Sequence, residues 1–481
     1  MHLQTLKFHN FCNTSTPHSS ASSAINDFFS PNSPRNGAHS HSNQKRIEVS
    51  APKNRSISLS LSNGFGEEER VRSPVVKDAD IATLGNLCVD VVLSVQRLPL
   101  PSLEERRAYM EELSASRPDE KYWEAGGNCN VAIAAARLGL CCLTVGHVGD
   151  EIYGHFLLDV LNDEGIGMVG MSGQTDSSID ISAYETLICW VLVDPLQRHG
   201  FCSRADFSDD PAFSWLSKLS KEVKMAIRRS KVLFCNGYSF DELSPVLLAS
   251  ALEYSIEVGT SIFFDPGPRG KTLSSGTTEQ RRALDQYLKM SDVLLLTSDE
   301  AESLTGVGNP ILAGRKLLKE GVCTKWVIVK MGSKGSFLIT SSSVSYAPAF
   351  KVNVVDTVGC GDSFVAAIVF GFLHNVPAIN VLALANAVGA ATAMGSGAGR
   401  NVASLEKVIE ILKNSSLNED SSPSVYIDEN MDTSEILVLA RTIVNGKNAC
   451  VSHVSLQKVV SELLPKLMAV HEKALTSKCA S

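Results

Sequence analysis

Seven residues, Asp356-Thr357-Val358-Gly359-Cys360-Gly361-Asp362, open onto the apolar run "SFVAAIVFGF". A helix starting there exposes unpaired N–H groups and the positive end of its dipole, which together make an anion site. Gly359 and Gly361 would let a polyphosphate come close to the backbone. Asp362, just inside the helix, could take a proton from an attacking hydroxyl while the amides stabilise a phosphoryl group in transfer. By spacing alone, the same residues also suit an ordinary capped turn, with Asp or Thr as N-cap.

The elements that would hold this segment follow from hydrophobic patterning. From Asp80 onward, short apolar runs ("IATLGNLCVDVVL", "CLTVGHVG", "KVLFCNG", "SIFFDPG", "DVLLLTS", "KWVIVKMG") alternate with helical stretches. Continuous apolar strands alternating with helices specify a mostly parallel sheet covered on both faces. Two segments break the rhythm. One is the charged stretch 102–121; the other, "ETLICWVLVDPLQRHGFCSRAD", reads as two strands about Asp194-Pro195. Together they suggest an accessory sheet serving as a lid, from about 91–123 and 184–206.

The bulk properties narrow the class. A chain of 481 residues with net charge −8 and no long basic run is not built for nucleic acid. No apolar run is long enough to span a bilayer. Twelve cysteines without a CxxC pair suit reduced thiols rather than a disulfide framework or a zinc site. Residues 1–78 form a separate leader. Up to Gly66 it has fourteen Ser and six Lys/Arg against two acids, Asp27 and Glu48. Such a leader predicts an organellar transit peptide, with a plastid favoured over a mitochondrion; the other reading is a merely disordered tail. Residues 414–434 read as a polar linker and 435–481 as a helical extension.

The segment 356–362 resembles the carboxy-terminal signature of the PfkB (ribokinase-like) carbohydrate and nucleoside kinases. "EAGGNCNVAIAAARLG" at 124–139 looks like their amino-terminal signature, and the overall look is similar to plant members with plastid leaders. The resemblance spans about 80–413. It implies an α/β fold, a ribokinase-like three-layer α/β/α sandwich with a mostly parallel central sheet and a small β lid. It also implies ATP-dependent phosphorylation of a hydroxyl on a sugar, sugar phosphate or nucleoside, with Mg²⁺ accompanying ATP.

By the same resemblance, Asp362 is the general base and Gly359, Cys360 and Gly361 form the anion hole. Asp90, Gly126, Gly127 and Asn128 bind the acceptor. Thr297, Glu300, Lys330, Gly332, Gly335 and Asn386 serve ATP, with Glu300 acting on Mg²⁺ indirectly. Thr297 departs from the pattern, since the family has Asn there. Asp356 and the Val358 carbonyl would be ligands of a monovalent cation such as K⁺. The partner implied is a small-molecule acceptor, and the assembly a monomer or a homodimer through the lid. A kinase fold kept as a non-catalytic partner in a plastid complex is the alternative.

Overall fold

The computed structural model describes residues 76–478 apart from 101, 172–183, 209, 215, 397, 419–424, 428–434 and 441–450. The leader up to residue 75 and most of the 414–434 linker therefore lie outside the described residues.

The chain enters on β1 (Ala79–Leu84) and turns at once into β2 (Leu87–Ser94), then β3 (Trp123–Gly127), β4 (Cys142–Gly146) and β5 (Gly167–Gly170). A hairpin, β6 (Leu187–Val193) and β7 (His199–Ser203), precedes β8 (Ser230–Asn236), β9 (Ser261–Asp265), β10 (Val293–Thr297) and β11 (Trp326–Lys330). The chain continues through β12 (Ser336–Ile339), β13 (Ser343–Ala347), β14 (Glu435–Ala440) and β15 (Val451–Ser455).

Eleven of these strands form one sheet, ordered β15-β14-β13-β12-β11-β10-β9-β8-β1-β4-β5. It is parallel except where β12 runs against both β11 and β13. Its strands are apolar on both faces because both are covered. Along β10, Val293 and Leu295 face one core, and Leu294 and Leu296 face the other. Helices 128–137, 360–373 and 378–393 cover the first face; helices 221–229, 245–257, 278–290 and 310–320 cover the second. This is a three-layer α/β/α sandwich.

The remaining strands form the lid, ordered β3-β2-β6-β7. Asp194 makes its hairpin turn, accepting at Oδ1 from the N–H groups of Leu196 and Arg198, both at 2.9 Å. The charged stretch 102–121 is not part of this sheet. It folds mainly as a helix, Leu103–Ser114, capped by Ser102, and its apolar side (Tyr109, Met110, Leu113) packs against the core that includes the lid.

The carboxy-terminal extension requires a correction. It is not wholly helical: β14 pairs in parallel with β13, β15 pairs with β14, and only then does the helix Leu456–Lys478 begin. The run "EILVLA" becomes a strand because β13 offers it an unpaired edge. The helix buries Val459, Leu463 and Leu467 completely, against helices 378–393 and 405–414. Leu463→Ala is expected to cost about 2–5 kcal/mol, since the fixed helices cannot collapse into the void. Urea unfolding with an unchanged m-value would check this.

Candidate active site

In open parallel sheets, ligands gather beyond the carboxyl ends of the strands. Here β8 to β11 end in Asn236, Asp265, Thr297 and Lys330, with Asn236 in register with Asp265 and Thr297 with Lys330. The lid strands lie over a cavity of about 570 Å³, reached by Asp90 and His199 from the lid and by Asn236, Gly359 and Asp362 from the sandwich.

Gly359 begins the helix Cys360–Leu373 at φ +74°, and a Cβ on it would sit 2.8 Å from the Ala398 Cβ. A side chain is therefore excluded by both backbone conformation and space. The first-turn N–H groups of Gly361 and Asp362 have no intrahelical acceptor. Burial pushes the Cys360 thiol up to about 12, which makes it an inert packing group. Asp362 is half-buried and lines the cavity. Burial, and after it the charge of Asp265, raises its carboxyl to about 7, while Lys330 and a hydrogen bond from Asn130 oppose the rise. A carboxylate tuned to neutrality is matched to general-base work.

Asp90 faces it from β2 and is 5% exposed. Burial raises it to about 7 as well; the Cys88 thiol, donating to Oδ1 at 3.4 Å, opposes this, and the Asp362 charge adds to it. Burial is thus the leading cause at both carboxylates. Gly126, opposite Cys88 in the sheet, leaves room for Asp90: a Cβ there would lie 2.2 Å from Oδ1. Gly127 sits at φ +58°, and a Cβ there would also meet the Asn86 carbonyl oxygen at 2.1 Å.

Asn128 does not reach the acceptor. Its side chain is wholly buried; Nδ2 donates to the Leu84 and Gly85 carbonyls, and Oδ1 accepts from Asn236. The amide that lines the cavity is Asn130, two residues on, where it also accepts from the Gly399 N–H at 2.7 Å. Asn386 likewise has its side chain committed to the fold, donating to the Ala347 and Pro348 carbonyls and accepting from Ser336. It joins helix 378–393 to the ends of β12 and β13.

Lys330 Nζ lies 2.6 Å from Asp265 Oδ2 and 3.9 Å from where a Cβ on Gly361 would stand, an ordinary contact. Burial disfavours its charge, but Asp265, Glu300 and Asp362 together hold the lysine above its usual range. Burial, and then Asp265, raises Glu300. Thr297 and Glu300 form a reciprocal capping box, so the threonine in the asparagine position fixes Glu300 at the helix start. Gly332 and Gly335 take φ +55° and +93° in the turn between β11 and β12. Among the described residues no three His, Cys, Asp or Glu side chains form a ready metal cage. Asp265 and Glu300 instead suit Mg²⁺ held mainly by phosphates and water.

Lys330→Met is expected to lower kcat by about 10²-fold through the lost charge stabilisation. Because Lys330 holds the Asp362 pKa down, the variant's pH–rate midpoint should also move above 7; a pH series in kcat/KM checks both effects.

Sequence reasoning missed other cavity groups, among them His199, Asn236, Arg269 and Asp241. Arg269 is paired with Asp206 at 2.9 Å and Asp241 at 2.8 Å, and Arg106 with Asp206 at 3.1 Å. Their pairings join residues far apart in the chain, so no local motif announces them. The capping box "TSDE" and the second asparagine of "GGNCN" were readable signals.

Residues 79–404 match the model of the pfkB family carbohydrate kinases. The chain is 28% identical to a probable fructokinase-4 of Arabidopsis thaliana over 60% of this chain and 87% of that one. It is 27% identical to a 5-dehydro-2-deoxygluconokinase 1 of Bacillus cereus over 62% and 83%. An Arabidopsis thaliana ribokinase solved with ribose and ATP superposes with a TM-score of 0.52 at 19% identity, covering 70% of this chain and 99% of that one. A ribokinase II candidate of E. coli, solved with ATP and Mg²⁺, gives a TM-score of 0.55 at 19% identity with the same coverage. These solved structures agree with the sandwich-and-lid architecture. The family model spans most of the described residues, and the chain belongs to the pfkB family of carbohydrate kinases, phosphotransferases with an alcohol group as acceptor.

Proposed function

We propose that the protein transfers the γ-phosphoryl group of ATP to a hydroxyl of an uncharged sugar, with Asp362 as general base. The observation that carries this reading is the facing pair Asp90 and Asp362, both raised to about 7, across one cavity. Asp90, acceptor-only when ionised, suits two neighbouring hydroxyls. Asp362 would take the proton of the attacking hydroxyl, while the Gly359–Gly361 amides and Lys330 bear the developing charge. Mg²⁺ bound with ATP would neutralise phosphate charge near Glu300 and Asp265. Closure of the lid over the cavity would exclude water from the phosphoryl group.

The choice of an uncharged acceptor rests on Arg106 and Arg269. Both are already paired with Asp206 or Asp241, so a sugar phosphate would have to break those pairs to gain a cation. The relative named for fructose fits the same choice, whereas the one named for dehydro-deoxygluconate is named for a carboxylate without phosphate.

The test is ADP release from the chain trimmed before Asp78, with Mg-ATP, across sugars, sugar phosphates and nucleosides. Turnover confined to uncharged sugars supports the reading. A sugar phosphate or nucleoside as best acceptor overturns the choice of acceptor. Silence across the panel with ATP bound would favour the non-catalytic alternative.

The Ser-rich leader supports delivery to a plastid, which a fluorescent fusion of residues 1–78 would test. The helix 103–114 packed on the lid supports a monomer, which sedimentation would test.

A further inference from the structure

The family resemblance implies a monovalent cation between Asp356 and the Val358 carbonyl, and the structure argues against one. Asp356 is 3% exposed. Its Oδ1 accepts from the Val358 N–H at 3.0 Å and lies 2.7 Å from Nε2 of His199. A carboxylate oxygen offers two in-plane lone pairs, and on Oδ1 both face N–H donors. A cation at this oxygen would meet hydrogens rather than an open acceptor. At Oδ1 the residues present do not fit the ion.

His199 does not reach this position by chance of rotamer. It opens β7 directly after the lid hairpin, opposite Val193. That hairpin is braced by the buried Asp194, whose Oδ2 pairs with Arg198 at 2.6 Å. The loop it meets is held as well: Val355 and Asp356 donate backbone N–H groups to the Ala393 carbonyl, and Val358 packs with Val191 and Val92 of the lid.

We propose that His199 stands in for the monovalent cation. Its ring N–H organises the loop that leads into the anion hole, so ATP binding and turnover need no K⁺. The histidine is a positioning residue acting through Asp356, and it ties the closed lid to the phosphate-binding loop. The inference rests on the kinase reading of that loop, but binding and melting decide it without an acceptor.

The test compares KCl with N-methyl-D-glucamine chloride at matched ionic strength, for wild type and His199→Ala. ATP affinity is read by calorimetry and Tm by thermal unfolding. Wild type should show the same ATP affinity and Tm in both salts. His199→Ala should bind ATP about tenfold more weakly in N-methyl-D-glucamine and recover in K⁺, a rescue that a purely structural loss would not show. Tighter ATP binding by wild type in K⁺, by about tenfold, would overturn the proposal, as would a variant whose ATP affinity K⁺ leaves unchanged. If His199→Ala does not fold, the wild-type salt comparison decides alone. Cation-independent ATP binding without turnover on any acceptor would sink the kinase reading and leave this inference standing.

Discussion

Asp362→Asn is expected to remain folded, bind ATP with unchanged affinity and turn over about 10³-fold more slowly, the range of a lost general base. The amide keeps the shape of the carboxyl and can still accept from Asn130, so the anion hole stays in place. What it loses is proton affinity. In wild type, kcat/KM should rise with pH through about 7 and level off as Asp90 and Asp362 ionise, and the variant should lose the part of that rise belonging to Asp362. Stability moves the other way. The folded protein holds the Asp362 proton to about pH 7, whereas the unfolded chain releases it near 3.8. Stability therefore falls as pH rises between those values, and the cost is fully present above the folded value. Asp362→Asn removes that cost, so at about pH 8 its Tm should exceed that of wild type by a few degrees, with the advantage gone near pH 4. A slow variant that is also less stable at both pH values would mean that Asp362 is a structural carboxylate and not the base.

Asp362 and the two glycines were legible as a local pattern, whereas Asp90 was read only through the family resemblance. The pattern is a carboxylate directly after one glycine and three residues after another at a helix start, and that spacing survives in any fold that keeps the helix. The mostly parallel sheet was legible for a similar reason, since strands buried on both faces read as unbroken apolar runs.

What escaped depended on distant neighbours. Asn128 and Asn130 are the same residue type two positions apart at one helix start. Only the approach of Leu84, Gly85 and Asn236 decides that the first is consumed and the second is free to line the cavity. His199 and Asp356 are 157 residues apart, and nothing in either local sequence marks the other. The strand "EILVLA" needed the open edge of β13, a property of the assembled sheet. Thr297 shows the reverse case: its departure from the family pattern weakens nothing visible in the fold, because the threonine caps its helix and holds Glu300 in place.

Gly126→Ala carries the second large effect. The added methyl would fall 2.2 Å from Asp90 Oδ1 and 2.3 Å from its Cγ, closer than non-bonded atoms come. Relief has to come from Asp90, because β3 is fixed on one side by its pairing with β2 and on the other by the 399–401 loop, where Arg400 pairs with Glu124 at 3.1 Å. Asp90 is short and buried, so it can escape only by rotating its carboxylate out of the acceptor's reach. The loss is the bidentate grip on two hydroxyls, worth about 2–3 kcal/mol for hydrogen bonds to a charged group. KM for the acceptor should then rise about 100-fold, with ATP affinity unchanged, because the phosphate-binding loop lies on the other side of the cavity. Initial-rate kinetics in both substrates separate the two effects. The mechanism makes one more demand. In an Asp90→Ala background the methyl at position 126 has nothing left to displace, so adding Gly126→Ala should raise KM little further. If the two substitutions instead multiply, the glycine serves the acceptor directly through its exposed backbone, and Asp90 is not the group it makes room for.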